Sequence, residues 1–194
     1  MTARPLEHKR ADAARNVHRI VEVAARALAE TPHVGMADIA TAAGVSRATV
    51  YRHFPTRDEL VRAIHADALE QTRLAVEACR LQEGSAADAL RRLCGAWMEV
   101  SERYSMAQLI AQPGLDVPED LRAEGRRLLG EPLAGLFARG QAGGEFTSAL
   151  PVLWCTRALA SLLMAAGRSV ADGTLTREAA ADVVFRTLHE GLRT

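Results

Sequence analysis

The stretch ADIATAAGVSRATVYRHF, residues 37–54, holds a run of alanines, an Ala-Gly-Val-Ser turn, and then Arg47, Thr49, Tyr51, Arg52 and His53, with no acid after Asp38. Gly44 suits the left-handed exit that ends a helix, and Ser46 suits the cap that begins the next. The spacing predicts a short helix over 36–43, with Met36, Ile39, Ala40 and Ala43 turned inward, and a second from Ser46 to Phe54, where Pro55 forbids continuation. Two helices this short cannot bury their faces alone, so they must lean on a neighbour. That neighbour reads at 16–30, where Val17, Ile20, Val21, Ala24 and Leu28 make one apolar stripe at helical spacing, ended by Thr31-Pro32.

Outward from this unit, almost every segment keeps the helical period, and no 20–50 residue repeat interrupts it. Thr56 and Glu59 form a capping box that opens a long helix to about Gln82. Glu83-Gly84 breaks it, and Ser85 with Asp88 starts a fifth helix reaching about Tyr104. A short helix follows near 105–111, then one over roughly 118–140 that Pro132 should kink, and two more at 149–167 and 176–192. The expected fold is all-α with about nine helices: an N-terminal arm and three-helix helix-turn-helix domain over 1–57, and a helical ligand-binding and dimerisation domain over 58–194. The leading segment ARPLEHKRADAAR reads as a solvated tail; the alternative is an arm that lays Arg4, Lys9 and Arg10 in a minor groove.

At 194 residues the chain is long enough to bury a real core without staples. Cys79, Cys94 and Cys155 stand far apart with no CxxC spacing, which argues against a disulfide framework or a zinc site and suits a reducing compartment. The start is charged and lacks an apolar signal region, and the longest mainly apolar run, ALASLLMAAG, is about half of the roughly 20 residues that a membrane span requires. A soluble cytoplasmic protein is expected. Net charge is zero, but residues 1–57 carry nine Lys or Arg against five acids and the remainder fifteen against nineteen. Basic charge gathered in one part is the footprint of a surface that faces a polyanion.

The side of the third helix away from Val50 shows Arg47, Thr49, Tyr51, Arg52 and His53. A guanidinium, hydroxyls, an imidazole and the backbone donors of a helix start match the mixture of base-edge and phosphate acceptors in a DNA major groove. Catalysis fits poorly. GVSRA is a fragment of the G-x-S-x-G nucleophile turn, but that turn needs a preceding strand, and ADIATAA is helix-forming. The six histidines are scattered, with no His-x-x-x-His for zinc. No catalytic residue, metal or cofactor is expected.

The run MADIATAAGVSRATVYRHFPTRDELVRAI resembles the DNA-binding region of TetR-family transcriptional repressors: an Ile-Ala, an Ala-Gly-Val-Ser turn, a small residue with Thr, Tyr-x-His-Phe, and a basic residue before an acid and a Leu. The resemblance spans about 45 residues from Ile20; beyond it the chain is similar mainly in helix count. Two departures stand out. Gly35 replaces the usual Ser or Thr cap, a modest change because Gly also caps, and Ala48 replaces a common Gly, limiting backbone approach to the groove. The resemblance implies that Arg47 and Thr49 read bases, that Tyr51, His53 and Arg57 hold phosphates, and that Thr41 touches phosphate from the second helix. Arg52 either joins them or pairs with Asp58 or Glu59. With Ser46 at the helix start, the expected DNA-binding set is Thr41, Ser46, Arg47, Thr49, Tyr51, Arg52, His53 and Arg57.

One such module makes few base contacts, and specific sites usually combine two half-sites about one helical turn apart, so a homodimer on a double-stranded operator is expected. Its interface is placed on the last two helices, at Leu153, Ala160, Ser161 and Met164 of one and Ala180, Val183, Val184, Phe185 and Leu188 of the other; the alternative is that these close the chain's own core. Leu90, Cys94, Trp97, Ser101 and Tyr104 share a face of the fifth helix, and Met106, Leu109, Trp154 and Met164 are placed near them. Such a set describes the wall of an apolar pocket and equally an ordinary core. The resemblance implies a cavity for a small-molecule effector and a repressor that the effector releases from a palindromic operator. The competing reading is a constitutive or architectural DNA-binding dimer without a ligand.

Overall fold

The computed structural model of the chain describes residues 4–105 and 116–192, and over 4–15 the backbone alone. The described residues form eight helices and no strand: α1 Arg4–Glu30, α2 Met36–Ala42, α3 Arg47–His53, α4 Arg57–Ala78, α5 Ala86–Arg103, α6 Glu119–Ala142, α7 Val152–Ala171 and α8 Arg177–Leu192. The helix expected near 105–111 lies outside the described residues.

The helix expected over 149–167 runs Val152–Ala171, and two further boundaries that differ from the reading of the sequence have a local cause. The segment read as a tail is helical, and α1 begins at Arg4 rather than near Asn16. Pro5 sits in its first turn, where a missing N–H costs nothing, and the Ala, Glu, Lys and Arg that follow are strong helix formers. Farther along the chain, α4 stops at Ala78, short of Gln82. Arg80 takes a left-handed φ of 46° there. Arg92 of α5 holds the turn, with its guanidinium donating to the carbonyls of Cys79 (2.9 Å), Arg80 (3.2 Å) and Glu83 (2.9 Å), so the end of α4 is satisfied by a side chain instead of another helical turn.

The helices enclose two apolar cores. The first joins Ile20 and Leu28 of α1, Ile39 of α2 and Val50 of α3 to Leu60, Val61, Ile64 and Ala68 of α4, with Val100 and Tyr104 closing it from α5. The second packs Leu90, Leu93 and Met98 of α5 against Phe137 of α6, Leu159 and Leu163 of α7, and Val184 and Phe185 of α8. Each fully buried side chain of this size contributes about 1.5–3 kcal/mol. The helix α4 belongs to both cores, its first half to the first and Val76 to the second. Position 57 therefore marks the start of a shared helix, and the first core reaches beyond it. No helix among the described residues is long and apolar enough to cross a membrane.

Candidate nucleic-acid interface and ligand cavity

The turn between α2 and α3 is built from local chemistry. Gly44 has φ 66°, and around it the N–H of Gly44 bonds the carbonyl of Thr41 (3.0 Å) while that of Val45 reaches back to Ala40 (3.0 Å), the paired closure of a left-handed helix exit. Ser46 then caps α3, its Oγ accepting from the Thr49 N–H at 3.1 Å. Val50, fully buried, plants α3 on the first core and so decides which side faces out.

That outer side carries the expected groups. Thr41, Ser46, Arg47 and Arg52 are exposed, Thr49 and His53 are half-buried, and Tyr51 is half exposed, at 50 %, although it is a large aromatic. Arg47 and the Tyr51 hydroxyl make no hydrogen bond or ion pair among the described residues, so their hydrogen-bonding capacity faces solvent. The hydroxyls of Ser46 and Thr49 stand 2.8 Å apart, and that of Thr41 donates to its own helix at Ala37 (3.1 Å). For Arg52, expected on DNA or paired with Asp58 or Glu59, the guanidinium lies 3.4 Å from Nε2 of His53, and Glu59 is occupied in the capping box with Thr56.

Arg57 is placed differently from the rest. Its guanidinium turns inward and donates to the carbonyls of Val34 (2.8 Å) and Pro32, fastening the α1–α2 loop to the start of α4. The carboxylate of Asp67, farther along α4, links both neighbours: it meets Nδ1 of His18 on α1 at 2.9 Å and accepts from the hydroxyl of Tyr104 at the end of α5. Burial first, and then this bond to Asp67, push the Tyr104 phenol above its ordinary range, so it stays a donor. The helices α1, α4 and α5 are thus joined by polar bonds as well as by packing.

Between α4, α5, α6 and α7 lies an apolar cavity of about 410 Å³. Of the eight residues expected on a pocket wall, Trp97 is on it. Cys94 is fully buried in the second core, where desolvation pushes its thiol up to about 12, and Tyr104 belongs to the first core. Ser101 lines a separate, smaller space of about 150 Å³ beside Glu102 and Gly167. Trp154 is 60 % exposed on α7, Met164 is half-buried on the same helix and off the cavity wall, and Met106 and Leu109 lie outside the described residues. The sequence reading missed Thr72 and Val76 of α4, Leu129, Gly130 and Leu133 of α6, and Arg157 of α7. One signal was present: Gly125 and Gly130 stand inside a helix, where glycine is costly unless its missing side chain leaves needed room.

The expected dimer residues divide into two groups. Ala180, Val184, Phe185 and Leu188 are buried in the chain's own second core, because α8 lays that stripe against α5 and α7. Leu153 (59 % exposed) and Ala160 of α7, with Val183 (48 %) of α8, remain on the surface, and Trp154 and Ser161 extend the same exposed side of α7.

Residues 20–64 match the family model described as bacterial regulatory proteins, tetR family. The chain is 27 % identical over 179 residues to the HTH-type transcriptional repressor LfrR of Mycolicibacterium smegmatis, covering 90 % of this chain and 89 % of that one. It is 32 % identical over 128 residues to the HTH-type transcriptional regulator NfxB of Pseudomonas aeruginosa, covering 66 % and 68 %. The crystal structure of LfrR in complex with proflavine superposes with a TM-score of 0.68 at 26 % identity, over 93 % of this chain and 98 % of that one.

Proposed function

This chain belongs to the TetR family of DNA-binding transcriptional regulators, and from that premise we infer that it is a repressor which a small molecule releases from a palindromic operator. The observation that carries the DNA reading is α3 itself, capped by Ser46, planted by Val50, and presenting Arg47 and Tyr51 without internal partners. Arg47 is the base reader, since a guanidinium on guanine discriminates by about 1–3 kcal/mol. Thr49 has its hydroxyl beside Ser46 and offers its methyl to a thymine methyl. Tyr51, Arg52 and His53 hold phosphates and fix the register.

Two copies are needed for a specific site, and the exposed apolar side of α7 and α8, from Leu153 and Trp154 to Val183, suits the join. The cavity favours a ligand-responsive regulator over a constitutive dimer. Its wall includes Thr72 and Val76 of α4, and the same helix begins at the clamp on the α1–α2 loop. A ligand that prefers one tilt of α4 shifts the spacing of the two readers, by no more than its differential affinity for the two states.

Selection of bound duplexes from a random pool, followed by affinity against salt, tests this reading. A two-fold symmetric site is expected, with Arg47→Ala losing preference at one base pair of each half-site and Tyr51→Phe losing affinity on all sequences alike. No enriched sequence, or the same loss pattern for both variants, refutes the assignment.

A further inference from the structure

The cavity has a charge as well as a shape. None of the described residues that line it is acidic. Two arginines are on its wall, Arg126 of α6 and Arg157 of α7. Arg126 is neutralised by the Glu119 carboxylate at 2.8 Å. Arg157 makes no ion pair or hydrogen bond among the described residues. Trp97, on the same wall, has an indole N–H that is buried without a partner among the described residues, and an unmet buried donor is costly. The hydroxyls of Thr72 and Thr156 are committed as donors to their own helices, at Ala68 (2.7 Å) and Val152 (3.0 Å). The rest of the wall is Leu and Val with Ala160 and Gly125, and Gly130 leaves room, since a Cβ there would meet nothing within 4 Å.

Taking the chain as a ligand-responsive regulator, as inferred above, we propose that this cavity selects a mainly apolar anion, an aliphatic or aryl carboxylate whose head group pairs with Arg157 and whose body fills the space beside Gly130. A guanidinium and a carboxylate match as a planar fork, so the pair gains hydrogen bonds along with charge. A cation of the same shape meets one unpaired like charge and no counter-charge on the wall. The volume of about 410 Å³ lies within the roughly 300–1,000 Å³ of small-molecule sites. The preference would differ in sign from that suited to a planar cation such as the proflavine bound in the LfrR structure.

Calorimetric titration of the full-length protein with decanoate, decanol and decyltrimethylammonium, below their micelle concentrations, separates charge from apolar bulk. Decanoate is expected to bind about tenfold or more tighter than the ammonium, with decanol between them. Arg157→Gln, at an exposed position, should cost decanoate about tenfold and leave decanol within about twofold. Gly130→Phe should abolish binding of both while leaving thermal stability intact, because its ring occupies the cavity. Equal or tighter binding of decyltrimethylammonium overturns the anion preference and leaves the ligand-responsive reading standing. Failure of all of these probes to bind overturns both.

Discussion

Arg57, the first residue of α4, donates from Nη1 to the carbonyl of Val34 at 2.8 Å, and so ties the helix shared by both cores to the loop that delivers α2. The matching family motif implies a phosphate anchor at this position, yet here the guanidinium faces into the protein. The two roles make different predictions. If Arg57 is a clamp, Arg57→Ala costs about 1–3 kcal/mol of stability, because two carbonyls lose their charged donor, and the slope of log affinity against log salt stays unchanged. If it is an anchor, stability is kept and the slope falls by about one. Thermal denaturation beside a salt titration decides, and the clamp outcome is expected.

Val183 and Val184 are neighbours in sequence and opposites in environment, 48 % and 2 % exposed. Val183→Glu should leave the fold intact and lower the mass seen by light scattering from dimer to monomer, with loss of operator binding at low concentration. Val184→Glu should instead unfold the second core, since an unpaired buried carboxylate is among the costliest of substitutions. A monomeric but folded Val184→Glu protein would show that the assignment of faces on α8 is inverted.

The difference between these two valines marks where the sequence is legible. Caps, breaks and helical period are local, and Gly44, Ser46, the Thr56–Glu59 box and Val50 all act in the structure as their spacing implies. The reading surface follows from them, because once Val50 points inward Arg47 and Tyr51 must point out. On α8, by contrast, Val183, Val184, Phe185 and Leu188 are all apolar, and nothing in their own segment says which of them a neighbouring helix covers. The cavity is harder still. Cys94 and Trp97 have equal claims by composition, and only the gap among α4, α5, α6 and α7 puts Trp97 on a wall and Cys94 in solid core. Arg57 was legible as a cation but not in direction, since its partners are carbonyls 23 and 25 residues away.

Gly140 of α6 is a glycine for reasons of space. A Cβ there would lie 2.2 Å from Cδ2 of Phe146 and 3.0 Å from Cβ of Ala86. The Phe146 ring is almost fully buried, 6.0 Å from that of Phe137, and has nowhere to retreat. Helix propensity alone would make Gly140→Ala stabilising by about 1 kcal/mol; overpacking should reverse this to a net loss of about 1–3 kcal/mol. Denaturant unfolding of the variant checks the sign, with Gly130→Ala, where a Cβ meets open space, as the control expected to gain stability.

Glu145 gives the fold a dependence on acid. Its carboxylate accepts from the N–H groups of Ala86 (2.8 Å) and Ala87 (3.1 Å), charging the start of α5 from the loop after α6. The bond from Ala86, with lesser help from Ala87 and Arg139, holds the carboxyl below its usual range. Because its folded value lies below the unfolded one, about 4.3 for glutamate, the stabilisation is complete above that pH and is lost as pH falls through the folded value. Glu145→Gln should therefore lower stability near neutrality by about 0.5–2 kcal/mol, the cost of a weakened cap. The gap between wild type and variant should then close as pH drops below about 4. A gap that persists unchanged to pH 3 would mean that the geometry of this cap, and not its charge, supports α5.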